Sequence, residues 1–414
     1  MIPSFHLSLV NSYQAHKQHL LPASQHHDLL QVTRDIVALH ATSPTSPYLS
    51  LWARVAGFER EMLDDALYER RTLAKVLSMR VTVHAVPSDE VHLFMRSCES
   101  LIESRTPPRF RGARILARAG LCPDSEQEVC LQGLHERVLQ VLRESGPATA
   151  REISESVPEL RTKIRHDIGK PYEGEISVGS RLLNDMTAQG LIIRTRPRGT
   201  WRSNLYEYAA FHDWLPAIDL KSVSVQEARR GIVRRYLAAF GPASIDDVVW
   251  WTGFPKTVAQ RALEPLWPLL SEVAIEGQSE RLLMFTSDAQ DLNRFSPPDV
   301  PYVFLLPSLD PYIMGFRQRR RFLAHEHYKK VFDRAGNALP TVWVNGRVVG
   351  AWDQRESDGS VVFGLFEPVS EREQALLLEK ARGLGAFLGD TFIKPAFFHT
   401  PFTRALAQNR GGTD

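Results

Sequence analysis

GPATAREI begins at Gly146 and GPASIDDV begins at Gly241, so the chain writes nearly the same phrase twice. An apolar run precedes each copy, VLQVLRES in the first case and IVRRYLAAF in the second. Thr149 and Ser244 suit helix N-caps, and Glu152 and Asp247 stand three residues on, where an acidic side chain reaches back to the cap amide. A glycine ahead of each proline suits the end of the preceding helix. Each phrase therefore predicts helix, tight turn, helix. That order opens a helix-turn-helix.

Working outward, the same order recurs. In residues 28–86, DLLQVTRDIVALH spaces Leu29, Val32, Ile36 and Leu39 as a helix. SPYLSLWARV and FEREMLDDALYERRTL follow as helices, and VLSMRVTVHAV alternates as a strand that puts Arg80 and His84 on one face. Residues 134–209 repeat this, with EISVGSRLLNDMTAQG as recognition helix and LIIRTRPRGTWRSNLYEYA as hairpin. Residues 224–287 do so a third time. The basic stretch TPPRFRGAR at 106–114 is expected to link the first two units. From about residue 298 the texture turns to strands, with Asn345-Gly346 and Asp358-Gly359 as hairpin turns, and then one amphipathic helix, EREQALLLEKARGLGAFLG. The expected fold is α+β: three tandem winged helices and a C-terminal β-rich, barrel-like domain. The boundaries are 1–125, 126–215, 216–295 and 296–414, and the whole is expected to make a concave DNA-binding surface.

With 414 residues, 43% of them hydrophobic, the chain buries a large core. Its net charge of +2 does not by itself announce nucleic acid. Cys98, Cys122 and Cys130 form no CxxC pair, and no stretch approaches a membrane span. These features predict a soluble cytoplasmic protein; a monomer associated with the nucleoid is expected. His325 and His327, two apart, do not share a helix face, so no metal is expected, and no cofactor motif occurs.

Arginines nevertheless cluster. Arg194, Arg196, Arg198 and Arg202 lie in the second hairpin, and Arg317, Arg319, Arg320 and Arg321 make up RQRRR. Guanidinium groups on wings and helix ends suit phosphate contacts, although a solvated face explains any single cluster equally well.

Four stretches in order carry a resemblance: IVALHATSPTSPYLSLWARV, VLSMRVTVHAVPSDE, FLLPSLDPYIMGFRQR and NGRVVGAW. Together they resemble the AlkZ/YcaQ-type winged-helix DNA glycosylases over about residues 5–390. The resemblance implies double-stranded DNA carrying alkylated bases as partner. It also implies Asp310 as a supporting site residue and Arg54, Arg80 and His84 beside the clustered arginines as DNA-binding residues. One departure matters. The family's catalytic Gln-x-Gln or Gln-x-Asp is replaced by His40, Ala41 and Thr42. The strand motif has Val81 where the family usually has glycine.

His-Ala-Thr still has usable chemistry. An N7- or N3-alkylated purine is already cationic, so the leaving base needs little protonation. What remains is to expose the nucleotide, stabilise oxocarbenium character and place a water. His40 is expected to activate that water and Thr42 to hold it, making a monofunctional glycosylase for bulky alkylated purines. His40 is expected at a helix end, where the dipole favours imidazolium and weakens it as a base. The plain alternatives stay open: His40 caps a helix, Asp310 is a turn residue, and the protein is a non-catalytic regulator or damage recogniser.

Overall fold

A computed structural model describes residues 2–105, 112–166, 169, 173–393 and 399–408. Of the expected basic linker, residues 106–111 lie outside the described ones. The fold mixes α and β, and the chain groups into two compact units, residues 64–229 and residues 1–63 with 230–414. The first and third of the four expected regions each cross a boundary between these units.

In the unit of residues 64–229, GPATAREI forms as its composition dictates. The helix Gln127–Ser145 ends at Gly146, whose φ of 76° favours glycine. Thr149 then caps Ala150–Ser156 by accepting the Glu152 amide at 3.3 Å, and Glu152 accepts the Thr149 amide at 2.7 Å. The helix Val178–Ala188 follows, capped by Ser177, and Val138, Ile153, Leu182 and Met186 close the core between the helices. The predicted hairpin is present as Ile192–Pro197 paired antiparallel with Tyr206–Ala210. It shares a sheet with the hairpin Leu73–Leu77 and Val83–Pro87 through Lys75 opposite Arg194.

One expectation fails here. Arg80 and His84 do not share a strand face, because Met79–Val81 is a tight helical turn and the strand begins only at Val83. Val81 adopts φ 59°, in the left-handed region where a β-branched residue is strained.

In the other unit, Ser244 and Asp247 make the second capping box, at 3.1 and 3.0 Å. A side chain at Gly241 would come within 2.6 Å of the Leu237 carbonyl, so glycine is required there. The strands Leu270–Ile275 and Arg281–Phe285 pair antiparallel, and Ser4–Phe5 adds in parallel. Val303–Leu306, Thr341–Val344, Arg347–Gln354 and Val361–Leu365 make an antiparallel meander in chain order. Asn345 and Gly346, at φ 49° and 76°, supply the primed turn that matches strand twist. Among the described residues this sheet is open, with its first and last strands not paired to each other, so the barrel-like expectation is corrected. The helix Glu371–Leu388 packs against it. No helix of the described residues is long and apolar enough to cross a membrane.

Candidate functional site

The helix Leu29–Asp35 starts at its cap, where Asp28 accepts the Leu30 amide at 2.8 Å. It ends well before His40, which lies in the short strand Leu39–His40. The expected weakening of His40 by a helix dipole therefore falls away, since that effect fades within the last turn. Between helix and strand the chain turns at Val37, buried with φ 74°. Residues 41–45 then lead into the helix Ser46–Trp52, which Pro47 helps start. HATSPTS thus occupies a turn between two helices, as the Gly146-Pro147 and Gly241-Pro242 phrases do.

His40 and Thr42 are both half-buried, two residues apart in a strand-to-loop segment. The Thr42 hydroxyl is buried with no hydrogen-bond partner among the described residues. Leaving a hydroxyl so placed costs about 1–3 kcal/mol, which makes it a marked position for a ligand or water.

The helix after this loop is fixed to the segment following strand Val303–Leu306. Ser46 donates to the Ser308 carbonyl at 2.7 Å and Ser50 to Asp310 Oδ2 at 2.8 Å. Arg54 grips both Asp310 oxygens at 2.7 and 2.8 Å. Asp310 also accepts the Tyr312 amide at 2.9 Å, and Leu309 before it takes φ 60°. The resemblance stretches LWAR and LLPSLD therefore bond to each other. Strain of this kind at Val37, before the loop, and at Leu309, beside Asp310, persists only where surrounding structure enforces it.

These contacts revise several expected roles. Asp310 has no exposed surface and accepts from four donors, so it holds the segment around the helix Ser46–Trp52 and is not open to a substrate. Arg54 is equally buried and spent on Asp310, so it does not face phosphate. His84 is buried against Ser78, and burial pushes its imidazole down to about 4, so it is neutral near pH 7 and not exposed for a phosphate contact. Arg80 is half-buried in its turn.

RQRRR divides by alternation. Arg317 and Arg320 are exposed, whereas Arg319 and Arg321 are buried. Arg319 lies 3.9 Å over the Phe332 ring and donates to Tyr328 and the Gly336 carbonyl. Arg321 lies over Phe316 and donates to the Pro242 carbonyl. Neither can serve as a phosphate contact. In the other unit Arg194 stacks on Tyr206 and bonds Asn184, while exposed Arg196 pairs with Glu69 and exposed Arg198 with Glu152 and Glu207. Surface pairs of this kind are weak enough to exchange for phosphate.

Sequence reading gave no site role to Ser43, Thr45 or Asp353, and took Ser46 only as the cap of the helix, a place that Thr45 holds. The hydroxyl-rich run TSPTS was the available signal for the three hydroxyl residues; Asp353 gave none.

Residues 33–387 match the family model of AlkZ-like DNA glycosylases. A curated relative, the interstrand DNA cross-link repair glycosylase of Streptomyces sahachiroi, is 30% identical over 131 residues. That match covers 31% of this chain and 34% of the relative, so it spans about a third of the relative's length. The solved Streptomyces sahachiroi DNA glycosylase AlkZ superposes with a TM-score of 0.71 at 20% identity, covering 94% of this chain and 98% of that one.

Proposed function

This chain belongs to the AlkZ-like DNA glycosylase family, and we propose that it is itself a monofunctional DNA glycosylase for bulky alkylated purines. One observation carries this reading: the buried Thr42 hydroxyl, without a hydrogen-bond partner among the described residues and two residues from His40, on a loop whose following helix is clamped through Ser46, Ser50 and Arg54.

Thr42 holds the attacking water and His40 accepts its proton. The water oxygen bonds to C1′ of the deoxyribose as the C1′–N bond breaks. The electron pair of that bond returns to the cationic purine and neutralises it. General-base assistance of this type is worth about 10²–10⁴-fold. The chain is read as three winged-helix units and a C-terminal sheet acting as a monomer on damaged duplex. Arg196, Arg198, Arg317 and Arg320, with half-buried Arg80 and Arg194, are its candidate phosphate contacts.

Incubating the protein with duplex carrying an N7-alkylguanine and assaying abasic sites tests this. Release by the wild type that falls in His40→Ala and Thr42→Ala supports it. The absence of both family glutamines favours a second reading, a damage recogniser without turnover; tight adduct binding without release would select that one.

A further inference from the structure

Asp353 lies near the end of strand Arg347–Gln354 and is 5% exposed. Among the described residues its hydrogen bonding is sparse for a buried carboxylate. One oxygen accepts the Gln354 amide at 2.8 Å, and the other lies 3.5 Å from His399 Nδ1, beyond good hydrogen-bond distance. Buried carboxylates normally fill more of their acceptor sites, so this one has capacity to spare.

What Asp353 borders is a cavity of about 20 Å³, shared with Ser43, Thr45 and Ser46 of the segment that follows Thr42. That volume accommodates about one water, which needs two to four polar partners. Ser46 is already committed to the Ser308 carbonyl. Ser43 and Thr45 are buried, and their hydroxyls meet each other only at 3.4 Å, a long and weak contact. Two underused hydroxyls and one underused carboxylate thus surround a water-sized space. The other lining residues are Ser308, whose carbonyl Ser46 already occupies, and apolar side chains that include Leu49, Trp352 and Ile393.

We propose that Asp353 is a positioning residue: through one water shared with Ser43 and Thr45, its carboxylate fixes the loop that presents Thr42. The loop then has anchors on both sides. Ser46, Ser50 and Arg54 hold the helix that follows it, and Asp353 holds residues 43–45 themselves. The charged form is the stronger acceptor for the bridging water. Burial pushes the Asp353 carboxyl up to about 6, opposed first by the Gln354 amide and then by His399, and reinforced by Glu356. His399 and Glu356 are the charged side chains that shift it; the helix Pro401–Gln408 packed on this strand also carries Arg404, and the other cavity walls hold no titratable group. The anchor is therefore engaged above about pH 6 and weakens as Asp353 takes up a proton below it.

For activity this role rests on the glycosylase reading; for loop order it stands without it. Hydrogen exchange on the full chain, corrected for intrinsic rates at pH 7.5 and pH 5, reads the loop directly. Asp353→Asn at pH 7.5 is expected to raise exchange in residues 39–46 several-fold, matching wild type at pH 5, with strands 341–344 and 347–352 still protected. Unchanged exchange in 39–46 between the two proteins and between the two pH values overturns the role. So does exchange raised equally throughout the unit, which marks a purely structural residue.

Single-turnover release of an N7-alkylguanine adduct is the second readout. Asp353→Asn should lower the rate at saturating enzyme about tenfold with the half-saturating concentration unchanged, and should flatten the acidic limb near pH 6. A change in half-saturation alone contradicts it. If wild type releases no base while the loop exchange responds as stated, the glycosylase reading fails and the positioning role of Asp353 remains.

Discussion

Arg54 and Asp310 form a bidentate ion pair at 2.7 and 2.8 Å with no exposed side-chain surface on either partner. The pair joins the helix that follows the His40–Thr42 loop to the segment that follows strand Val303–Leu306, and its geometry decides how that loop is held.

Breaking this pair from one side should be severe. Asp310→Ala leaves the Arg54 guanidinium buried without its carboxylate, and such truncations cost about 3–5 kcal/mol. Equilibrium urea unfolding should show that loss, while the double variant Arg54→Met, Asp310→Leu recovers a large part of it. Equal destabilisation in the single and double variants would show that the ion pair is not the source.

Val81 predicts an unusual gain. Its φ of 59° costs an L residue roughly 1–2 kcal/mol, and the half-buried isopropyl group returns only part of that. Val81→Gly should stabilise the protein by about 1 kcal/mol in thermal unfolding. A fall in Tm would mean that the side-chain contacts outweigh the strain.

His84 sets an acid-side stability change. Its folded pKa, about 4, is below the ordinary 6.5, so between these values the unfolded chain binds more protons. Stability from this group is full above pH 6.5 and is lost as pH falls toward 4, by at most about 3 kcal/mol. His84→Gln should remove that component when unfolding is followed from pH 7 to pH 4. A wild-type curve of identical shape rules it out.

The alternation in RQRRR separates two kinds of arginine. Arg320→Ala should weaken binding to undamaged duplex and lower the slope of log affinity against log salt by roughly 0.9 for each phosphate that the side chain neutralises. Its unfolding midpoint should stay in place. Arg319→Ala should instead destabilise the fold, because it empties a site among Phe332, Tyr328 and Trp250. Identical effects of the two substitutions would dissolve the distinction.

What the sequence disclosed was chiefly local. The capping boxes at Thr149–Glu152 and Ser244–Asp247, and the Asn345-Gly346 turn, rest on neighbours within three residues and formed as expected. The Arg54–Asp310 contact rests on residues 256 apart, which no periodicity encodes. RQRRR looked uniformly exposed because composition does not record which guanidiniums find aromatic faces. The strand expected through Val81 failed because left-handed backbone there overrides β-branched preference. His40 and Thr42 were placed by resemblance, and Asp353 was silent because its significance comes from a cavity built by segments distant in sequence.

Base excision at the His40–Thr42 loop is tested most directly by single-turnover release of an N7-alkylguanine from duplex DNA. Wild type, His40→Ala and Thr42→Ala are compared at matched, saturating enzyme. Free base and one abasic site per lesion are expected with wild type, and rates at least tenfold lower in each variant while adduct binding persists. Undiminished release in both variants, or adduct binding by wild type without any abasic product, would contradict excision at this loop.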